Sequence, residues 1–124
     1  MVNGPVALAA GVLVAPHHGA DNGSSTCFIE AVDPDFVIFS AGSQFGHPRD
    51  STARRYLDHG VGLDSIFRTD RGDDEDGDVG SFEWKNGSVS GCQDQKGDDD
   101  VDIVIVEGGA LSVAFLSPPA ATGC

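Results

Sequence analysis

Continuous apolar runs divide the first half of the chain. Residues 11–15 and 36–39 contain no polar side chain and predict strands that are buried on both faces of a sheet. Residues 66–68 predict a third, short strand. Two amphipathic stretches lie between these runs, so the order is strand, helix, strand, helix, strand. This order is typical of a layered α/β fold.

The first amphipathic stretch carries clear start and stop signals for a helix. Ser24 or Ser25 is placed to cap its N-terminus, and Asp33, which is followed by proline, ends it. Cys27 lies in this helix and is interpreted as a small buried hydrophobe. The sequence leaves open whether Cys27 pairs with Cys92.

The second amphipathic stretch predicts a helix that begins near Arg49. Asp50 or Ser51 is expected to cap it. The spacing of its apolar positions places Tyr56 and Leu57 on the inward face.

The second half of the chain is acidic and rich in turn signals. Six of the nine residues from 70 to 78 are Asp or Glu, which predicts a solvated loop. Asn86-Gly87 between short apolar runs predicts a β-hairpin, and Gly108-Gly109 predicts another. This half therefore indicates antiparallel β structure.

Composition restricts the domain count and the partners. The 124 residues fit one domain, predicted over residues 1–116 with a flexible tail at 117–124. Seven Lys+Arg against twenty Asp+Glu give a net charge of −13, which argues against a basic nucleic-acid surface. No apolar run approaches the roughly 20 residues of a membrane helix. The first 14 residues lack the basic start of a signal peptide, so the cytoplasm is the default location.

The candidate chemistry follows the predicted strands. His17 and His18 come directly after the first strand, His47 follows the second, and Thr69 follows the third. Because the carboxyl ends of parallel strands share one sheet edge, these side chains are expected to converge there. Imidazoles bind zinc or manganese when neutral and anionic oxygen when charged. His59, at a helix end, is interpreted as an ordinary surface residue.

Four segments in register resemble one family. They are VLVAPHHGADNGSS at 12–25, DPDFVIFSAG at 33–42, FGHP at 45–48 and FRTDRG at 67–72. They are similar to the "LKVPHHGS…S", "KPKYAVISVG", "YGHP" and "YRTD..G" segments of metallo-β-lactamase-fold hydrolases of the ComEC/Rec2 competence type. The resemblance implies the C-terminal half of an αββα sandwich and a site that uses Zn or Mn. It assigns His18 as a metal ligand, His17 and His47 to catalysis at the substrate, and Ser24, Ser25 and Thr69 as pocket hydroxyls.

The chain departs from that family in its metal ligands. It has no HxHxDH motif, and its apolar first strand begins too early for the family's preceding "GD" aspartate. The sequence therefore predicts a C-terminal fragment of a metal-dependent hydrolase of a phosphodiester or related ester, inactive alone and binding metal weakly or not at all. The resemblance also leaves open a location outside the cytoplasm.

A half-sandwich would leave one sheet face bare. We expect Val12, Val14, Val37 and Phe39 on that face, covered by a second copy of the chain or by a missing N-terminal half-domain.

Two alternatives accompany this interpretation. The first is a non-catalytic remnant or binding module that keeps the fold. The second is a calcium-responsive acidic β module. If Gly72 is counted as position 1, the positions of an EF-hand loop are matched by Asp74, Asp76, Gly77 and Glu83. Position 1 itself departs from the motif, because an EF-hand loop has Asp there.

Overall fold

The chain folds as a mixed α/β protein. The computed structural model describes residues 8–41, 46–69 and 100–116. Its elements are β1 (Val12–Val14), α1 (Thr26–Val32), β2 (Phe36–Phe39), α2 (Asp50–His59), β3 (Ile66–Arg68), β4 (Val101–Ile105) and β5 (Leu111–Phe115), with short 3-10 segments at Pro16–Gly19 and Leu63–Ser65. The α/β prediction is confirmed.

Some predictions lie outside the described residues. They concern the acidic loop at 70–78, the Asn86-Gly87 hairpin, the EF-hand-like segment at 72–83, Cys92 and the tail at 117–124.

Three parallel strands form the main sheet in the order β1-β2-β3. Val14 pairs with Ile38, and Phe39 pairs with Arg68, so all three strands run toward the same edge. The predicted strand, helix, strand, helix, strand order is therefore confirmed, and it sends the loops after the three strands to one side of the sheet.

The two helices contact each other, and their buried side chains pack against those of the sheet. Among the described residues, the core cluster of buried side chains consists of Ala15, Ile29, Val37, Phe39, Ala53, Tyr56, Val61 and Ile66.

Two predictions about helical side chains are wrong. Cys27 is exposed because it precedes the buried Ile29 by two positions, about 200° around the helix axis. Leu57 is 37% exposed because Ala53 and Tyr56 form the buried face of α2 and Leu57 lies at its margin.

The helix caps are partly as expected. Ser25 caps α1, since its Oγ accepts the Phe28 N–H at 3.2 Å. The cap residue of α2 is Arg49, without a side-chain hydrogen bond, so the prediction of Asp50 or Ser51 is wrong. Both side chains have other partners. Asp50 pairs with Arg54 one turn along α2 at 3.1 Å, and the Ser51 hydroxyl donates to Asp21.

The opposite face of the sheet is only partly bare. Val37 and Phe39 are fully buried on the helix side, so their predicted exposure is wrong. The register between β1 and β2 explains this error. Val14 pairs with Ile38 and lies on the same face as Ile38, whereas Val37 and Phe39 lie on the other face. Val14 is 56% exposed. The first strand is therefore not buried on both faces.

The predicted hairpin at Gly108-Gly109 is confirmed, with β4 and β5 antiparallel. Both turn glycines have positive φ, at 97° and 87°. The hairpin contacts the main sheet through two aromatic rings. The ring of Phe67 on β3 meets the ring of Phe115 on β5 edge to face, with centroids 5.5 Å apart.

Candidate functional site

His17 and His18 occupy the turn directly after β1. Both have left-handed backbone conformations, with φ of 52° and 55°. Such conformations cost an L-residue about 1–2 kcal/mol each and are concentrated at functional sites. Both imidazoles are exposed. The turn therefore presents two side chains to solvent in a backbone conformation that the sequence does not favour.

The imidazole of His18 is oriented by the backbone after β2. Its Nδ1 lies 2.7 Å from the carbonyl oxygen of Ser40. A carbonyl oxygen only accepts, so Nδ1 carries the proton, and in the neutral form of the ring Nε2 has the free lone pair. This is the tautomer in which a histidine ligates a metal through Nε2 while a carbonyl fixes its ring.

His17 is held by a side chain in its own loop. Its Nδ1 lies 2.8 Å from Oδ1 of Asn22, so this nitrogen donates to the amide oxygen. The His17 ring meets the His47 ring edge to face, with centroids 5.9 Å apart. The structure thus brings His17 and His47 together from the loops after β1 and β2, and it carries His18 on the same turn as His17.

His47 lies half-buried between these loops. Burial lowers the pKa of its imidazole, and repulsion from Arg49, and from His17 and His18 when they are protonated, lowers it further, while Asp21 opposes them. Its Nδ1 is buried and has no hydrogen-bond partner among the described residues. A neutral ring therefore faces the histidine pair at neutral pH.

The three predicted pocket hydroxyls have structural contacts. Ser24 is fully buried, and its Oγ accepts the Tyr56 hydroxyl at 2.8 Å. Ser25 caps α1 through its Oγ. Thr69 Oγ1 accepts the Ala41 N–H at 3.1 Å, which ties the end of β3 to the loop after β2.

Sequence reasoning missed the residues that hold the first histidine loop. Arg55 Nη1 donates to the carbonyl oxygens of Asp21 at 3.0 Å and Ser24 at 2.7 Å, linking α2 to this loop. The sequence singles out neither Asp21 nor Asn22, because no local pattern identifies their contacts with Arg55 on α2 and with the His17 imidazole.

His59 lies apart from the three site histidines. Its Nε2 is 2.8 Å from Asp33 Oδ1, so it links the C-terminal ends of α2 and α1. His59 is therefore half-buried and paired rather than an ordinary surface residue.

The described residues offer one well-oriented ligand rather than a full metal site. Among residues 8–41, 46–69 and 100–116, no three His, Cys, Asp or Glu side chains are grouped to hold an ion. A catalytic zinc site needs about three protein ligands plus water. This donor set alone does not fit a catalytic metal.

Within the same ranges, none of the helices has the length and apolar character needed to cross a membrane.

The described fold and site define a mixed α/β chain with a histidine-bearing sheet edge. A segment of 61 residues, 48% of the chain, is 37% identical to the competence protein ComA of Neisseria gonorrhoeae. The chain spans 8% of the length of that relative. No protein-family model and no solved structure match the chain. The likeness is therefore to a short part of a competence protein.

Proposed function

We propose that this chain supplies the histidine loops of a ComEC-like, metal-dependent hydrolase of the metallo-β-lactamase type, acting on a phosphodiester or related ester. The observation that carries the proposal is the Ser40 carbonyl, which holds His18 with Nε2 open for a metal. The local identity to competence protein ComA supports the ComEC-like part of this proposal.

The contacts of the three histidines support the roles that we propose for them. His18 would bind a zinc or manganese ion through Nε2, as one ligand of a site that is completed by residues outside the described ones. Asn22 accepts the Nδ1–H of His17, and the His17 ring lies beside the His47 ring, where it would contact the substrate. The neutral ring of His47 would accept or donate a proton beside the substrate. The remaining ligands would come from elsewhere, so the chain alone binds metal weakly and does not turn over.

The experiment follows imidazole nitrogens by ¹⁵N NMR while Zn²⁺ is added to the chain. We expect the His18 Nε2 resonance to respond to Zn²⁺ before any other imidazole nitrogen of the chain. His59→Ala removes a histidine engaged with Asp33 and is the matched control, which should leave the His18 response unchanged. A protonated Nε2 in His18, or Zn²⁺ that perturbs His59 first, would refute the metal-ligand role.

A second arm tests catalysis in a longer chain that adds an HxHxDH segment before residue 1. Bound metal and hydrolysis of a chromogenic phosphodiester are measured together. His18→Ala should sharply reduce both, whereas His17→Ala should spare metal more than turnover. Robust, His18-dependent turnover by the 124-residue chain itself would show that the site is assembled differently.

The alternative is a binding module that keeps the fold without the reaction. It is favoured by the incomplete donor set among the described residues. It predicts that the longer chain binds the phosphodiester without hydrolysing it and that His18→Ala leaves metal content unchanged.

A further inference from the structure

Thr69, directly after β3, is hydrogen-bonded to the peptide group that orients His18. The Ser40 carbonyl and the Ala41 N–H are the two ends of one peptide plane. The carbonyl end accepts the His18 Nδ1–H at 2.7 Å, and the N–H end donates to Thr69 Oγ1 at 3.1 Å. One peptide therefore connects the threonine hydroxyl to the imidazole.

Two further bonds fix the threonine against the same segment. The Thr69 N–H donates to the carbonyl of Phe39 at 3.0 Å, and its hydroxyl donates to the carbonyl of Ala41 at 3.4 Å. Thr69 thus contacts three consecutive peptide groups, from Phe39 to Ala41. The rotation of the central one, which carries the His18 acceptor, is constrained from both sides.

We infer that Thr69 is a positioning residue that sets the tautomer and the direction of the His18 imidazole through the Ser40–Ala41 peptide. A hydrogen bond accepted from the N–H end of a peptide strengthens the acceptor at its carbonyl end, because linked hydrogen bonds polarise one another. The stronger acceptor favours the Nδ1–H form of His18 and so keeps Nε2 open. The inference rests on the proposed function only for the use of that nitrogen, since the tautomer itself is measurable without any metal.

The test compares Thr69→Val with Thr69→Ser. Valine keeps the branched shape but removes the hydroxyl, whereas serine keeps the hydroxyl. The measurement is the ratio of Nδ1–H to Nε2–H forms of His18 by ¹⁵N NMR, with His17 as the internal control because its partner is Asn22. We expect Thr69→Val to lower the His18 ratio by up to about twofold, because a linked hydrogen bond strengthens its neighbour by about 10–30%. Thr69→Ser should keep the ratio, and His17 should not change in either variant.

A measurement on the unaltered chain gives an independent outcome if the valine variant does not fold. The Ala41 amide should exchange with solvent deuterium slowly, as expected for a donor held by Thr69. Fast exchange of this amide, an unchanged His18 ratio in Thr69→Val, or an equal fall in Thr69→Ser would overturn the inference. An unchanged ratio with a normal Zn²⁺ response refutes the role of Thr69 alone. A shifted ratio with no Zn²⁺ response at His18 refutes the proposed function alone.

Discussion

The backbone N–H of Arg49 donates to the carbonyl oxygen of Gly19 across 3.0 Å, joining the two histidine loops. Gly19 follows the histidine pair and has a φ of 84°. A Cβ at this position would lie 2.6 Å from side-chain carbons of both Phe39 and Pro48. The approach of the loop after β1 to the loop after β2 therefore requires glycine for two separate reasons, its backbone conformation and its lack of a side chain.

The first prediction concerns this close approach. Gly19→Ala should lower the free energy of unfolding by about 2–4 kcal/mol, because it combines a left-handed alanine with overpacking. Gly60→Ala is the matched control, since Gly60 has a φ of 116° but nothing within 4 Å of its Cβ position. Urea unfolding followed by circular dichroism measures both variants. Equal losses at the two positions would contradict the predicted contact with Phe39 and Pro48.

The second prediction uses the left-handed conformation of His18. In a helix, glycine is less stabilising than alanine by about 1 kcal/mol, but at a left-handed position the order reverses. We expect His18→Gly to be more stable than His18→Ala by about 1 kcal/mol. At Arg54, inside α2, Arg54→Gly should instead be the less stable of the two. The same order at both sites would show that His18 has an ordinary backbone conformation.

The sequence predicted the sheet edge because the relevant information is local. Apolar runs define the strands, and parallel strands must place the loops after them at one edge. His17 and His47 follow successive strands, so their approach could be expected without knowing any contact. The faces of the sheet were harder to assign. Which residues point to the helices depends on the register between strands, and this error misplaced Val37 and Phe39.

The supports of the histidines could not be predicted from sequence for a different reason. The carbonyl of Ser40 carries no sequence signal, since every residue has one. Thr69 was expected to serve as a pocket hydroxyl, and its contact with the Ala41 amide depends on the pairing of β3 with β2. Such contacts join residues 22 to 28 positions apart, where neither propensity nor periodicity carries information.

The third prediction concerns His47 and pH. Its pKa is lowered in the folded chain, mainly by burial, so near pH 6.5 the unfolded chain binds more protons. Stability contributed by the neutral ring is therefore present above about pH 6.5 and is lost as the pH falls through the lower folded pKa. We expect His47→Gln to flatten this acid-side fall in unfolding free energy, measured from about pH 7.5 to about pH 5. If His47→Gln and the unaltered chain lose stability in parallel, His47 does not titrate as described.

The fourth prediction concerns the buried hydrogen bond between Tyr56 and Ser24. The Tyr56 hydroxyl donates to Ser24 Oγ at 2.8 Å, and both side chains are fully buried. Tyr56→Phe should cost about 1–3 kcal/mol, since it leaves a buried serine hydroxyl without its donor. Ser24→Ala should cost a similar amount, and the double variant should cost less than the sum of the two.

The fifth prediction is that burial of the Tyr56 hydroxyl makes the free energy of unfolding fall at alkaline pH. Burial raises the pKa of Tyr56 above its ordinary value of 10.0, and this exceeds the opposing effects of the Ser24 hydrogen bond and the Arg55 charge. Above about pH 10 the unfolded chain therefore releases the phenolic proton while the folded chain retains it. The contribution of Tyr56 to the free energy of unfolding should be constant below that pH. It should fall as the pH rises through the pKa of Tyr56 in the folded chain. Tyr56→Phe removes the proton and should abolish this part of the fall, which urea unfolding at a series of alkaline pH values would measure. An unchanged alkaline slope in Tyr56→Phe would mean that Tyr56 ionises equally in both states and that its hydroxyl is not enclosed with Ser24.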